Sequence, residues 1–304
     1  MSNINAIQSC LQQLNHVILG KENEVKLALT CICAKGHLLI EDIPGMGKTT
    51  LSHAFANSLG LNYQRIQFTS DLLPGDLLGI NIFDREEGKF HFHPGPIFAN
   101  IILADEINRA TPKTQSALLE AMEEEQVTQE GETRPLPQPF FVIATQNPSD
   151  QAGTYPLPES QLDRFMMRIT LGYPNEEAEK KLLKGMNRHE MLKKIQPCLS
   201  HSSLMKIQAL AFKINCSDSL IDYVYRLVNY SRTDSHIKHG LSPRAAISLL
   251  HAAKTWALID GRNHLLPDDI QAVFPSIAEH RISNGQSKIG NPLSHHILNS
   301  VDIF

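Results

Sequence analysis

A short glycine-rich segment between an apolar run and a helical pattern constrains the fold of this chain more than any other feature. His37–Glu41 is predicted to form a buried strand, and Asp42–Thr50 is the glycine-rich segment. The next predicted helix spans Thr49–Leu59. A bound triphosphate needs backbone N–H groups converging from a tight loop, a helix N-terminus and one mobile cation. The strand–loop–helix order therefore predicts a phosphate-binding loop rather than an ordinary turn.

Within this loop, several residue types have a chemical reason to face a nucleotide. Gly45 and Gly47 allow the backbone to approach phosphate oxygens, and Lys48 can reach the β- and γ-phosphates. The Thr49 hydroxyl can bind Mg²⁺. The full set of candidate nucleotide-binding residues in the loop is Asp42, Pro44, Gly45, Met46, Gly47, Lys48, Thr49 and Thr50. Asp42 stands where the general phosphate-loop pattern has its first glycine.

A second apolar run, Ile101–Ala104, ends in two carboxylates, Asp105 and Glu106. We expect Asp105 to hold Mg²⁺ through its water shell and Glu106 to polarise the attacking water. Phosphoryl transfer requires mainly positioning and charge stabilisation from the protein. Together with the upstream loop, the acidic pair predicts ATP hydrolysis rather than nucleotide binding alone.

A third apolar run, Phe140–Thr145, has the continuous apolar character of a strand covered on both faces. Open α/β sheets bind ligands at the carboxyl ends of their strands. Asn147, just beyond this run, is therefore the candidate for orienting water against the γ-phosphate. The alternative is that Asn147 only forms a turn before Pro148.

The two halves of the chain differ in pattern. Residues 36–173 alternate apolar runs with helical patterns, which is typical of a mainly parallel sheet with crossover helices. Beyond that point the predicted helices are Glu176–Lys184, Ser203–Ala211, Ser219–Tyr230, Pro243–Leu258 and Pro267–Phe274. We predict an α/β P-loop NTPase core with a parallel sheet over residues 1–175, and a smaller all-α domain over residues 176–304.

Composition narrows the environment in which such a chain works. No apolar run approaches the roughly 18 residues of a membrane-spanning helix, and the first residues lack the pattern of a secretory signal. The formal net charge of -4 gives no general attraction to nucleic acid. The sequence has no CxxC pair, so reduced thiols are expected for Cys10, Cys31, Cys33, Cys198 and Cys216. These features predict a cytoplasmic protein that does not insert into membranes.

With these elements in order, the chain resembles the AAA+ ATPases and specifically their MoxR branch. The matching segments are Gly95–Asn100, Ala104–Ala110, Gln115–Glu123, Ala144–Pro148, Gly153–Glu159 and Gln161–Phe165. The resemblance runs from about Val17 to Tyr173, and Leu241–Ala245 anchors it in the helical part. Asp42 departs from the general loop pattern but is compatible with this branch.

The resemblance implies that further residues complete the site. Arg164 is similar to an arginine finger that reaches the γ-phosphate of a neighbouring subunit, and Arg168 is its rival for that role. Arg244 resembles the second sensor arginine of the lid, acting either within its own subunit or across the interface. The segment that packs near the adenine is matched by Val17, Ile18, Gly20 and Lys21.

Two insertions also resemble the family. Leu72–His93 fits a hairpin that interrupts the second helix, with Gly79 and Gly88 at its turns. Val127–Pro135 fits a hairpin before the Asn147 strand. In related machines such hairpins face a central pore and contact substrate.

Two pairs of histidines raise the possibility of a metal site. His91 and His93 alternate on one face of a predicted strand, and His295 and His296 lie near the end of the chain. Because no third ligand is identifiable for either pair, we interpret these four residues as surface histidines.

The resemblance implies a homo-oligomeric ring, expected to be hexameric, that hydrolyses ATP with Mg²⁺ and remodels, matures or activates a partner protein. A von Willebrand factor A domain protein is a possible companion in this family. Two alternatives stay open, a metal-chelatase motor subunit and a DNA-acting motor of the helicase or transcription-activator type. The Gly-Ala-Phe-Thr-Gly-Ala loop of such activators is not in the sequence. A small-molecule kinase is disfavoured, because the acidic pair, Asn147 and Arg164 are suited to activating water.

Overall fold

The computed structural model describes residues 3–43, 45–147, 153–184, 188–282 and 292–303. Its centre is a parallel sheet of five strands in the order β2-β5-β8-β1-β9, with all elements numbered along the chain. The strands of this sheet are β1 (Leu38–Glu41), β2 (Tyr63–Gln67), β5 (Ile101–Asp105), β8 (Phe141–Gln146) and β9 (Met167–Ile169).

The inner strands of the sheet are apolar on both faces, as the sequence predicts. Every residue of β5 is buried, and only the last residue of β8 is partly exposed. Such strands are covered by helices on both sides, which suits a parallel sheet. The register pairs Gln67 with Asp105 and Glu41 with Gln146, so the carboxyl ends of four neighbouring strands lie along one edge. The predicted α/β core is therefore confirmed.

The helices of the core surround this sheet. They are α1 (Asn3–Val17), α2 (Glu22–Cys33), α3 (Lys48–Leu59), α4 (Pro74–Leu78), α5 (Pro112–Glu124) and α6 (Glu159–Leu162), with a 3-10 turn at Ile107–Arg109. Thr111 caps α5 by accepting a hydrogen bond from the Thr114 N–H, and Pro112 occupies the first turn, where its missing N–H costs nothing.

Both predicted hairpins are present. One consists of β3 (Gly79–Asp84) and β4 (Lys89–Pro94), and the other of β6 (Gln126–Gln129) and β7 (Glu132–Pro135). Gly79 and Gly88 have positive φ angles of 99° and 65°, which fits their predicted role at turns. The two hairpins are joined by a hydrogen bond of 2.7 Å from the Asn81 amide to the Glu130 carboxylate.

The second half is helical, as predicted. Its helices are α7 (Glu176–Leu183), α8 (Arg188–Lys194), α9 (His201–Phe212), α10 (Asp218–Thr233), α11 (Pro243–Ile259), α12 (Pro267–Ala278) and α13 (Leu293–Ser300). The sequence did not predict α8 or α13. Serine side chains cap α9 and α11, where Ser200 accepts from the Ser203 N–H and Ser242 from the Ala245 N–H.

The lid helices and the N-terminal helices share one apolar cluster. It includes Leu14 of α1 and Phe55 of α3 together with Tyr223, Trp256 and Phe274 of the lid. A second cluster fills the opposite face of the sheet beneath α4 and α5. The predicted boundary between residues 175 and 176 falls at the start of α7, but it remains a prediction because packing continues across it. No helix in the described parts of the chain has the length and apolar character needed to cross a bilayer.

Candidate nucleotide-binding site

The glycine-rich loop has the backbone shape that the sequence predicts. Gly45 and Gly47 have φ angles of 86° and 93°, in the left-handed region that side chains rarely adopt. A Cβ at Gly45 would meet no atom within 4 Å, so conformation rather than space requires glycine there. Helix α3 begins directly afterwards at Lys48, and its first N–H groups have no partner inside the helix. Pro44 lies outside the described residues.

Asp42 has a structural reason to replace the usual glycine. Its carboxylate is almost fully buried, with 5% of the residue exposed. Oδ1 accepts the N–H of Ile43 at 2.8 Å, and Oδ2 accepts the N–H of Gly172 at 2.7 Å. Hydrogen bonds to a charged acceptor are about twice as strong as neutral ones. Asp42 therefore ties the start of the loop to the chain segment that leaves β9 toward the lid.

Lys48 bends back into the loop. Its ammonium donates a 2.8 Å hydrogen bond to the backbone carbonyl of Asp42, and 9% of the residue is exposed. Burial lowers the pKa of Lys48, and the nearby carboxylates of Asp105, Asp42 and Glu106 oppose that shift. Lys48 is thus a largely buried cation with three carboxylates nearby.

The acidic pair is fixed by Thr145 at the end of β8. The Thr145 hydroxyl donates a 2.7 Å hydrogen bond to Asp105 Oδ1 and accepts one of 2.9 Å from the Glu106 N–H. The other oxygen of Asp105 receives Arg65 Nη2 at 2.6 Å. Thr145 therefore orients both the carboxylate of Asp105 and the backbone of Glu106.

Glu106 adopts a positive φ angle of 58°, which is uncommon for a residue with a side chain. Its carboxylate accepts the Gln67 amide at 3.0 Å and lies 2.9 Å from Arg109 Nε. Strained backbone of this kind is concentrated at functional sites. The side chain is thereby held at the edge where β2 and β5 end.

These groups surround one cavity of about 650 Å³. Its lining residues are Gly45, Gly47, Lys48, Thr49, Thr50, Arg65, Gln67, Thr69, Asp105, Glu106 and Arg109. The structure therefore brings together most of the predicted loop and both predicted carboxylates. The sequence analysis missed Arg65, Gln67, Thr145 and Arg109. Arg65 and Gln67 alternate along β2, a pattern that usually marks a solvated strand face, and only the pairing of β2 with β5 reveals their role.

Other predicted site residues lie away from the cavity lining. Asn147 follows β8 and is 7% exposed, and it does not line the cavity. Val17 and Ile18 are buried in the main apolar cluster, and Met46 packs against it. A Cβ at Gly20 would come within 2.9 Å of the Asn175 side chain, so this glycine permits close packing at the start of α7. The roles of these residues toward water or adenine remain predictions.

Arg164 and Arg244 share one carboxylate. Arg164 Nη1 lies 2.9 Å from Glu123 Oε2 and donates to the Leu119 carbonyl at 2.6 Å, while Arg244 Nη2 pairs with Glu123 Oε1. Both arginines line a second cavity of about 260 Å³, which has no lining residue in common with the first. The rival candidate, Arg168, is paired at 2.8 Å with Glu41 at the end of β1.

The segment around Arg164 is fastened to the lid. Arg281, which follows α12, has 3% of its side chain exposed and donates to Asp163 Oδ1 at 2.7 Å and to the Phe165 carbonyl at 2.6 Å. The Ser242 hydroxyl lies 3.3 Å from Asp163, and the His280 ring lies 3.0 Å from the Phe165 carbonyl. Side chains from the lid therefore form hydrogen bonds with the residues on both sides of Arg164. These contacts were not predicted from the sequence.

The histidines singled out from the sequence have acidic neighbours. His91 lies 3.0 Å from Glu87, and its group includes Asp84 but not His93. His295 is exposed, as expected. His296 is not a simple surface histidine, because its Nε2 lies 3.0 Å from the mostly buried carboxylate of Asp234. His91 and His93 are exposed as well, and neither group contains both histidines of a predicted pair, so the interpretation as surface histidines holds for all but His296.

Comparison with known proteins agrees with this geometry. Residues 37–167 match the model of the "ATPase family associated with various cellular activities (AAA)", and residues 229–296 match that of the AAA lid domain. The protein YeaC of Bacillus subtilis is 43% identical over 90% of this chain and 85% of its own length. Chaperone MoxR1 of Mycobacterium tuberculosis is 37% identical over 97% of this chain and 80% of its own length.

A solved structure supports the same assignment. The crystal structure of a Cytophaga hutchinsonii protein superposes with a TM-score of 0.88 at 39% identity, covering 99% of this chain and 95% of that one. The fold, the lid and the relatives agree, and the chain belongs to the MoxR family of AAA+ ATPases.

Proposed function

We propose that this chain hydrolyses ATP with Mg²⁺ at the carboxyl edge of its sheet, as one subunit of a ring that remodels a partner protein. The observation that carries this proposal is the 650 Å³ cavity, where the glycine loop, Lys48 and the acidic pair meet within one chain. Glycine loops and helix N-termini present N–H groups to phosphate, and the lysine supplies the cation.

Mg²⁺ would be held by Thr49 and Asp105. Both residues line the cavity and offer oxygen atoms, which Mg²⁺ prefers. Oδ1 of Asp105 is oriented by Thr145, and Oδ2 is neutralised by Arg65. When bound, the ion supplies charge neutralisation at the β- and γ-phosphates.

Glu106 is the proposed base toward the attacking water. Its carboxylate lines the cavity and is oriented by Gln67 and Arg109. A positioned base of this kind typically contributes about 10²–10⁴-fold in rate. Asn147, at the end of the neighbouring strand, is proposed to orient the same water.

Arg164 and Arg244 are proposed to act on the nucleotide of a neighbouring subunit. Support comes from their position, since they line a cavity separate from the one beside Lys48. Each site then needs two chains, which is why we propose a ring, with six subunits as the expected number. Val17, Ile18 and Gly20 are proposed to lie beside the adenine.

The proposed output is a change in a protein client. MoxR1 is described as a chaperone, which supports this output. The β3–β4 hairpin exposes Phe83 and Phe90 at 51% and 67%, and exposed aromatic side chains suit contact with a polypeptide. A von Willebrand factor A domain protein is a proposed companion. The free state of all five cysteines supports work in the cytoplasm.

Steady-state ATPase activity against protein concentration tests the shared site. Wild-type specific activity should rise cooperatively with concentration, and Arg164→Ala should stay about 10³-fold lower or more because one transition-state charge is missing. Glu106→Gln should bind ATP while its turnover falls by about 10²–10⁴-fold.

Mixing the two variants provides the sharper test. An interface that combines an intact Glu106 from one subunit with an intact Arg164 from another should recover activity. No recovery at any ratio, with mixed assembly verified by native mass spectrometry, would contradict action between subunits. Activity that is independent of concentration and of Arg164 would contradict the ring itself.

A further inference from the structure

Three potential metal ligands meet in the lid, far along the chain from the nucleotide loop. Asp234 directly follows α10, His236 lies two residues later, and His296 is on α13. Asp234 Oδ1 lies 2.9 Å from His236 Nδ1, and Oδ2 lies 3.0 Å from His296 Nε2. One ligand atom from each residue lies within 4.8 Å of the other two. The chain thus brings one carboxylate and two imidazoles to one point.

The carboxylate at the centre of this group is buried and pre-oriented. Only 6% of the Asp234 side chain is exposed. The N–H of His236 donates to Oδ1 at 2.7 Å. This backbone bond, with bonds from Tyr230 and His296, holds the pKa of Asp234 well below its usual range. A metal ligand supported by neighbouring hydrogen bonds in this way is held in its charged, binding form.

Each imidazole nitrogen that faces Asp234 carries a proton when it hydrogen-bonds to the carboxylate. A divalent cation can take the place of these two protons, which pass to the outer ring nitrogens or to solvent, so that two neutral imidazoles and one carboxylate remain as ligands. Tyr230, which also hydrogen-bonds to Asp234, then remains as an outer partner of that carboxylate.

We propose that Asp234, His236 and His296 form a binding site for a divalent cation of the zinc class, with the fourth position open to solvent. Two nitrogens and one oxygen suit zinc and its transition-metal neighbours, whereas Mg²⁺ and Ca²⁺ prefer oxygen ligands alone. In a tetrahedral site with bonds of about 2.0–2.2 Å, ligand atoms stand about 3.4 Å apart. One ligand atom from each of the three residues already lies within 4.8 Å of the others, so no separation needs to close by more than about 1.4 Å. The His236 side chain, 77% exposed, is free to make that adjustment.

The structural consequence is a cross-link between the end of α10 and α13. Helix α13 is short and fully buries only Ser294 and Ile297, while Leu293 and Leu298 pack against the main cluster and stay partly exposed, so a cross-link would add to modest apolar packing. Its other polar attachment includes the Ser294 N–H bond to Glu279 at 3.0 Å. A cation bound by His296 and Asp234 would fix this last helix of the lid to the helix that precedes the Arg244 segment.

The test is zinc binding by the full chain after chelator treatment and dialysis, titrated with Zn²⁺ in millimolar Mg²⁺. The Mg²⁺ occupies oxygen-rich sites and leaves the nitrogen-containing site to zinc. We expect one equivalent of zinc in the wild type, and binding about 100-fold weaker in His236→Ala and His296→Ala. Zinc at about 100 times its dissociation constant should raise the wild-type Tm by about 5 °C.

His295→Ala is the matched control, because this exposed histidine is adjacent to His296 but outside the group. It should bind zinc as the wild type does. If His296→Ala fails to fold, His236→Ala still decides the matter, since the His236 side chain is largely exposed. The proposal is overturned if the wild type binds no stoichiometric zinc, or if His236→Ala binds it with unchanged affinity.

Discussion

Two charged regions of this protein are built differently. One is the phosphate edge, formed by the glycine loop, Lys48 and the acidic pair, and the other is the Glu123 face, formed by Arg164, Arg244 and Glu123. At the phosphate edge, Lys48 is buried and bonded to a backbone carbonyl, and Asp42 accepts two backbone N–H groups. On the Glu123 face, two arginines meet one carboxylate, with 30%, 46% and 34% of the Arg164, Arg244 and Glu123 side chains exposed. At the phosphate edge these two residues are held by backbone partners, whereas on the Glu123 face the two arginines are held mainly by one shared carboxylate, with a backbone bond from Arg164 to the Leu119 carbonyl.

Because of this difference, the ion pairs of the Glu123 face can be exchanged for other partners more easily than the buried bonds of the phosphate edge. Exposed ion pairs contribute about 0–1 kcal/mol each, because water solvates the separated charges nearly as well. Arg244 can therefore leave Glu123 for another anion at little cost, and Arg164 can do so once its hydrogen bond to the Leu119 carbonyl is also released. Buried groups such as Asp42 have no such freedom, since an unpaired buried polar group costs about 1–3 kcal/mol or more. The comparison predicts large effects at the phosphate edge and small ones on the Glu123 face.

Lys48→Ala should produce the largest effect. Removing the cation that faces the phosphates eliminates charge-assisted hydrogen bonds of about 1.5–3 kcal/mol each, so ATP affinity should fall by about 100-fold or more. Titration with a fluorescent ATP analogue in Mg²⁺ measures this loss. Lys113→Ala, an exposed lysine at the start of α5, is the control and should bind normally. Equal affinity in the two variants would mean that the nucleotide binds elsewhere.

Asp42→Gly should reduce stability rather than nucleotide binding. The change restores the common loop residue but leaves the Ile43 and Gly172 N–H groups without their charged acceptor. The free energy of unfolding should fall by about 2–4 kcal/mol. Lys48 keeps its contact, because the Asp42 carbonyl belongs to the backbone.

Urea denaturation measures the Asp42→Gly effect, with ATP binding followed in parallel. Asp42→Asn is the comparison variant and should be intermediate, since an amide has only one acceptor oxygen for two N–H donors. A stable Asp42→Gly protein with poor ATP affinity would reverse our assignment of Asp42 to the scaffold.

Glu123→Gln should have a smaller effect than either change at the phosphate edge. It frees both arginines, so the concentration at which ATPase activity reaches half its maximum should fall by about fivefold. Stability should change by less than about 1 kcal/mol. Glu125→Gln removes the same charge from the same cavity without touching either arginine, and it serves as the control. Lower activity of Glu123→Gln at saturating protein concentration would instead indicate that Glu123 positions the arginines for catalysis.

The core of the fold was predictable because its signals are local. Strands such as β5 and β8 are continuous apolar runs, and the glycine loop lies between a strand and a helix within one short segment. Local pattern also located Asp105 and Glu106, since both directly follow an apolar strand. Helices α8 and α13 were missed because they are short, and the environment that stabilises a short helix comes from distant residues.

The site was less predictable wherever it depends on the pairing of distant segments. Arg65 contacts Asp105 only because β2 lies beside β5 in the sheet. Arg281 reaches Asp163 across more than a hundred residues, and although Asp163 lies within a segment that matches the family, no motif marks Arg281. Glu123 lies within a segment that matches the family, but its pairing with two arginines becomes visible only when the lid is folded onto the core.

The two bonds of the Asp42 carboxylate have a thermodynamic consequence. The Asp42 carbonyl accepts a hydrogen bond from Lys48, and the Asp42 carboxylate accepts one from the N–H of Gly172, which lies between the sheet and the lid. A movement of the lid that displaces Gly172 would therefore act on the residue whose carbonyl accepts Lys48. Linkage is reciprocal, so any factor by which a nucleotide shifts the lid equals the factor by which the lid position changes nucleotide affinity. In the proposed function, a client that pulls on the lid would thus regulate ATP binding without contacting the loop.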